Sequence, residues 1–321
     1  MHTTRNVPLD WRGISAFLAI AFGLAWLLDL PIWLSGQGLG PRWELLLLVR
    51  NFTPLIATIL VVRWLSPVPM GRQAVGLWRA APGVPWRRYW LAGLLGFTLF
   101  NLASPFAGAL FGRFPLDLGL SRARLAAQMT PEWAALFAQF GAETCVAALL
   151  VSLPLQALLC VPLTLGEEVG WRGYLLPRLL PLGQWRALVL SGAIWGLWHA
   201  PLIPLGLNYP QHPLLGIGLM ATWGAILGIL LGWLRLASGS VWPAVLGHAA
   251  INANQLLGGV MLLAAADTPV DPAQATLSGW TGWLLPLLAI ALLAATRRLP
   301  VPGPVERPTA AAGRTTQPVT S

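Results

Sequence analysis

Glu167 and Glu168 stand side by side at the end of an apolar run, in the stretch Gly166-Glu167-Glu168-Val169-Gly170-Trp171-Arg172. Ionisable side chains near hydrocarbon are costly, so a pair of adjacent acids there points to function first. On a helix Glu168 and Arg172 share a face, whereas Glu167 is turned about 100° away and is left without that partner. The spacing therefore predicts one acid compensated by a guanidinium and one left for chemistry. The chain has four histidines, and two of them, His199 in Trp195-Gly196-Leu197-Trp198-His199 and His248 in His248-Ala249-Ala250-Ile251-Asn252, lie in two further apolar segments. Imidazole is both the commonest metal ligand and the usual proton carrier near neutral pH. One glutamate and two histidines, converging from three helices, either hold a metal with its water or activate a water directly. Both routes give hydrolysis inside a membrane.

The elements that must position these residues are membrane helices. The chain is 56% hydrophobic and 10% charged, with a mean hydropathy of +0.67, far from a soluble domain of 321 residues. Eight apolar runs qualify as spans, near residues 13–35, 44–65, 89–112, 141–164, 187–207, 214–236, 241–265 and 278–296. The expected fold class is therefore all-α, a polytopic membrane bundle of about eight transmembrane helices with the catalytic pocket inside it. The expected organisation is a cytoplasmic N-terminus at 1–12, a transmembrane bundle at 13–299 with the catalytic core at about 140–265, and a disordered tail at 300–321. The first run is too long for a signal-peptide core and reads as an anchor. The net charge of +9 comes entirely from arginine. Arginines gather at Arg5 and Arg12, Arg72 to Arg88, Arg172 to Arg186, Arg235, and Arg297 with Arg298, which places both termini in the cytoplasm, in the plasma membrane of a prokaryote. Loop asymmetry across a bilayer explains this basicity, and no nucleic-acid partner is expected. Many of the eighteen tryptophans fall near span ends, where the indole favours the interface.

Other features read more plainly. Asp29 and Arg50 lie inside the first two spans and either pair or mark a polar cavity. Proline punctuates an irregular connection from Ser66 to Trp86, and Ser121 to Phe140 has the pattern of an interfacial helix. Gly192 and Gly196, and Gly224, Gly228 and Gly232, repeat every four residues and let helices approach closely in lipid. Cys145 and Cys160 form no disulfide framework or metal motif. His212 reads as an exposed loop residue, and Ser240 is too far along its segment to face His248. The zinc-protease motif H-E-x-x-H is absent.

Glu167-Glu168-x-x-x-Arg172, an aromatic three residues before His199, and His248-x-x-x-Asn252, in that order, resemble the CPBP (CAAX protease and bacteriocin-processing) family of intramembrane endopeptidases, which includes the type II CAAX prenyl proteases. The likeness covers roughly residues 140 to 265 and departs in one place, since Trp195 stands where the family usually has phenylalanine. The resemblance implies that Glu167 and His199 activate the attacking water while His248 and Asn252 complete the site, the Asn252 amide being a suitable donor to an oxyanion. Glu168 and Arg172 would orient Glu167 and balance charge. It also implies a divalent metal, zinc, on Glu167, His199 and His248, with a glutamate-dependent, metal-free mechanism as the alternative for the same residues. The implied partners are the lipid bilayer and a hydrophobic or lipid-modified peptide or protein substrate. Two competing classes are a non-catalytic membrane scaffold or bacteriocin self-immunity factor of the same fold, and a proton-coupled transporter using the buried groups as a relay.

Overall fold

The computed structural model describes residues 9–65, 75–78, 80–257 and 259–301, with backbone alone at 255–257. The expected disordered tail, most of the N-terminal segment before Trp11 and much of the 66–86 connection lie outside those residues. The described chain is helical throughout, without a strand and with one isolated antiparallel bridge between Leu116 and Ala264. The helices are α1 (Trp11–Ser35), α2 (Glu44–Arg50), α3 (Thr53–Trp64), α4 (Trp86–Leu110), α5 (Ser121–Gln128), α6 (Pro131–Phe140), α7 (Ala142–Val151), α8 (Leu153–Glu168), α9 (Leu176–Leu179), α10 (Gln184–Trp198), α11 (Leu215–Ser238), α12 (Trp242–Leu257) and α13 (Trp280–Ala295).

All eight apolar runs are helical for most of their length, but among the described residues four helical stretches are long and apolar enough to cross a bilayer, Trp11–Ser35, Pro41–Trp64, Trp86–Leu110 and Leu215–Ser238, and the bent pair Pro131–Phe140 with Ala142–Val151 would make a fifth. The count of eight spans is thus not reproduced, and proline explains much of the difference. The run at 187–207 stays helical only to Trp198, because Pro201, Pro204, Pro210 and Pro213 each remove an amide donor from the chain beyond it. The run at 141–164 is broken before Pro154 into α7 and α8. The expected interfacial helix is also two helices, α5 and α6, parted just before Pro131, and α6 meets α7 at a bend of 106°.

The bundle core is formed by α8, α10, α11 and α12 with α1, α3 and α4 around them. α10 and α11 meet along the small residues anticipated from their four-residue repeat: a Cβ added at Gly192 would lie 2.4 Å from the Gly224 carbonyl oxygen. Nothing larger than glycine admits that contact, so the two backbones touch. α12 is held to its neighbours by polar stitches in apolar surroundings: Thr164 of α8 donates to the Val245 carbonyl at 3.2 Å, and Asn101 of α4 donates to the Ala250 carbonyl at 3.0 Å. Three helices bearing Glu167, His199 and His248 are thereby fixed against one another.

Candidate active site

α8 ends on Glu168, yet the chain does not leave the helix there. It widens into a π-helical turn over Val169–Leu175, and every residue of that turn is buried. Such turns insert one residue into the repeat and re-aim side chains, and they concentrate at functional sites. α3 can lie against this turn because Gly170 carries no side chain: a Cβ there would sit 2.4 Å from Pro54 Cβ.

The two acids divide as their spacing predicted. Arg172 Nη1 donates to Glu168 Oε1 at 2.8 Å, and both side chains are fully buried. Glu167, also buried, receives no guanidinium; its Oε2 accepts from the indole Nε1 of Trp195 at 2.7 Å. Trp195 is the hub of the site. Its ring centroid lies 5.0 Å from that of His248 and 5.9 Å from that of His199, and Arg172 Cζ lies 4.5 Å above it. One indole therefore touches the free carboxylate, both imidazoles and the paired guanidinium.

Glu168 does something not anticipated. Its Oε1 also accepts from His248 Nδ1 at 3.0 Å, so it orients this histidine as well as binding Arg172. His199 Nδ1 lies 3.0 Å from the Trp195 carbonyl oxygen. A carbonyl and a carboxylate only accept, so each imidazole carries its proton on Nδ1 in these bonds and has Nε2 left for other work. Glu167 and His248 are buried, while His199 and Asn252 keep partial exposure. Asn252 lies one turn beyond His248 on α12, on the same face. Among the described residues the buried atoms Glu168 Oε2, Arg172 Nε and Arg172 Nη2 have no hydrogen-bond partner, a concentration of unmet polarity beside Glu167.

As ligand types, two imidazoles and one carboxylate suit zinc with an open position. Among the described residues, however, no group of three His, Cys, Asp or Glu side chains is placed to hold a metal ion.

Of the remaining expectations, the one for His212 fails and those for Ser240 and the Asp29–Arg50 pair hold. His212 is not a free loop residue: its Nε2 bonds Asp271 Oδ2 at 2.9 Å, joining the connections before α11 and α13. Buried Ser240 donates its hydroxyl to the Trp78 carbonyl and takes no part in the site. Asp29 and Arg50 do pair, at 2.8 Å.

An all-helical bundle with several apolar helices of membrane-crossing length is an integral membrane protein. Residues 146–254, which contain all three motifs, match the family described as Rce1-like, type II CAAX prenyl endopeptidase. CAAX prenyl protease 2 of Methanococcus maripaludis is 33% identical over 101 residues, covering 28% of this chain and 36% of that protein. The match thus spans about a third of the length of this curated relative. Both findings support the family resemblance drawn from the motifs, over the segment that carries them.

Proposed function

We propose that the protein is an intramembrane endopeptidase of the CAAX-protease type, hydrolysing a peptide bond by a water activated between Glu167 and His199. The observation that carries this reading is the gathering of a carboxylate without a cationic partner and two Nδ1-tethered imidazoles around the Trp195 indole. His199 Nε2 accepts a hydrogen bond from the water, and Glu167 takes its proton. The hydroxide adds to the scissile carbonyl carbon, and the π pair moves to oxygen. The Asn252 amide, with His248 behind it, donates to that oxyanion. The carbon–nitrogen bond then breaks, and the proton on Glu167 passes to the departing amine. Glu168 and Arg172 hold His248 in its tautomer and keep the charge of the site balanced.

The substrate class is a hydrophobic or lipid-modified peptide, cut close to the cytoplasmic face with both termini of the enzyme on that side. An apolar crevice of about 420 Å³ between α4, α11 and α13, walled by Gly96, Phe97, Phe100, Leu230 and Leu293, supports a long apolar group. Phe97 separates it from α12, where a Cβ at Gly247 would fall 2.8 Å from that ring, one residue before His248. The test is digestion of a peptide bearing S-farnesyl cysteine near its C-terminus by the purified protein in oxygen-18 water. Mass spectrometry is expected to show a cut peptide with one labelled oxygen in its new carboxyl group; an intact peptide with this and with unmodified hydrophobic peptides would contradict the reading.

A further inference from the structure

The segment matched by the family ends at Val146 on its N-terminal side, yet the turn that carries His199 is held by residues far upstream. His199 follows the last residue of α10, so the Trp198 carbonyl lies at a helix end, where the backbone offers it no helical partner. Two side chains supply that partner. Arg50 Nη2 donates to the Trp198 oxygen at 2.7 Å, and Trp26 Nε1 donates to the same oxygen at 3.2 Å. Trp33 Nε1 donates to the Pro201 oxygen at 2.8 Å, and Trp198 Nε1 reaches back to the Ala21 oxygen at 3.3 Å. Arg50 Cζ also lies over the Trp198 indole, 3.7 Å from its centroid.

Arg50 is itself held. Its Nε donates to both Asp29 oxygens, at 2.8 and 3.0 Å, and neither side chain reaches solvent to any extent. A guanidinium fork can serve a carboxylate through one edge and a carbonyl through another, which a lysine ammonium cannot do in the same geometry. The residues after Arg50 complete the contact with the site, because Asn51 and Phe52 press on Gly166, where a Cβ would meet the Asn51 oxygen at 3.0 Å. Gly166 precedes Glu167.

We propose that Asp29 and Arg50 are positioning residues that orient the His199 imidazole, with Arg50 fixing the Trp198–His199 peptide and Asp29 aiming Arg50. This rests on the reading of His199 as a participant in peptide hydrolysis. The alternative is that the pair merely staples α1 to α2, and an exchange of the two charges separates the two cases.

The full-length protein in detergent micelles is compared as wild type, Arg50→Lys, and the exchanged double variant Asp29→Arg with Arg50→Asp. Thermal unfolding, kcat and KM on a fluorogenic peptide bearing S-farnesyl cysteine, and imidazole nitrogen-15 shifts at one fixed pH are read for each. The His199 signals are assigned by their loss in His199→Ala among only four histidines. Both variants are expected to lose about tenfold or more in kcat with KM within about twofold, and to move the His199 shifts, because neither keeps the Trp198 contact. Wild-type kcat or unmoved His199 shifts in the exchanged variant overturn the proposal and leave a structural staple. Should the exchanged variant fail to fold, Asp29→Asn, which keeps size but removes the charge that aims Arg50, takes its place; a moved His199 signal supports the clamp and an unmoved one overturns it. If His199→Ala cleaves as wild type while Arg50→Lys still moves the His199 signal, the hydrolytic reading fails and the clamp stands.

Discussion

Trp195 supplies something that phenylalanine at the same place cannot, a hydrogen-bond donor to the free carboxylate. In the absence of a cationic partner, that N–H is what fixes the Glu167 rotamer and occupies one of its oxygens. Trp195→Phe keeps an aromatic ring between the two imidazoles but strands a buried acceptor, which costs about 1–3 kcal/mol in stability. In cleavage assays the variant is expected to lose about 10- to 100-fold in kcat with little change in KM, the pattern of a misplaced base. The Glu168–Arg172 pair is readable from spacing alone, because four residues on a helix fix a shared face. The bond between His248 and Glu168 is not, because eighty residues separate them and only the packing of α8 on α12 brings them together. For the same reason the indole donor is invisible in the sequence: its ring predicts packing, while its N–H needs a partner that only the fold reveals.

At the scale of elements, the seam between α10 and α11 determines where His199 lies. Gly192→Ala places a methyl group against backbone that cannot move independently, and should destabilise the protein by about 1–3 kcal/mol. Gly218→Ala, on α11 with open space around it, is expected to be neutral or slightly stabilising. Thermal unfolding of the two in micelles, side by side, checks this. The Asp271 clasp makes a separate prediction. Burial raises the Asp271 carboxyl, but bonds from His212, Gln274 and the Ala273 amide outweigh it and hold the carboxyl below the usual range. A lowered carboxylate contributes stability above its unfolded value of about 3.9, and loses it as pH falls through the lower folded value. The Tm advantage of wild type over Asp271→Asn should therefore be constant above about pH 5 and close below about pH 4. Helix existence and type are legible from hydropathy, and so is the four-residue glycine repeat. Helix ends are not, because prolines such as Pro154 and Pro201 stop or split an apolar run without changing its hydropathy.

For the whole molecule, an integral membrane bundle is implied by composition, and the order of three motifs points to its class. Composition cannot reveal that the first helices belong to the site. In sequence they resemble anchors, alike only in being apolar, yet Arg50 and Trp26 bond the carbonyl beside His199. The arrangement of donors also bears on the expected zinc. With no three-ligand group among the described residues, cleavage is expected to survive treatment with a strong chelator, and elemental analysis of active protein to show no stoichiometric zinc. Loss of activity on chelation, restored by zinc, would contradict that expectation.

The central claim is that a carboxylate inside the bundle, hydrogen-bonded by an indole and not by a guanidinium, activates water. It is tested most directly by kcat for Glu167→Gln, which keeps size and the capacity to accept from Trp195 while removing the base. A fall of about a thousandfold with unchanged thermal unfolding is the result predicted. Cleavage at the wild-type rate by a properly folded Glu167→Gln protein would contradict it.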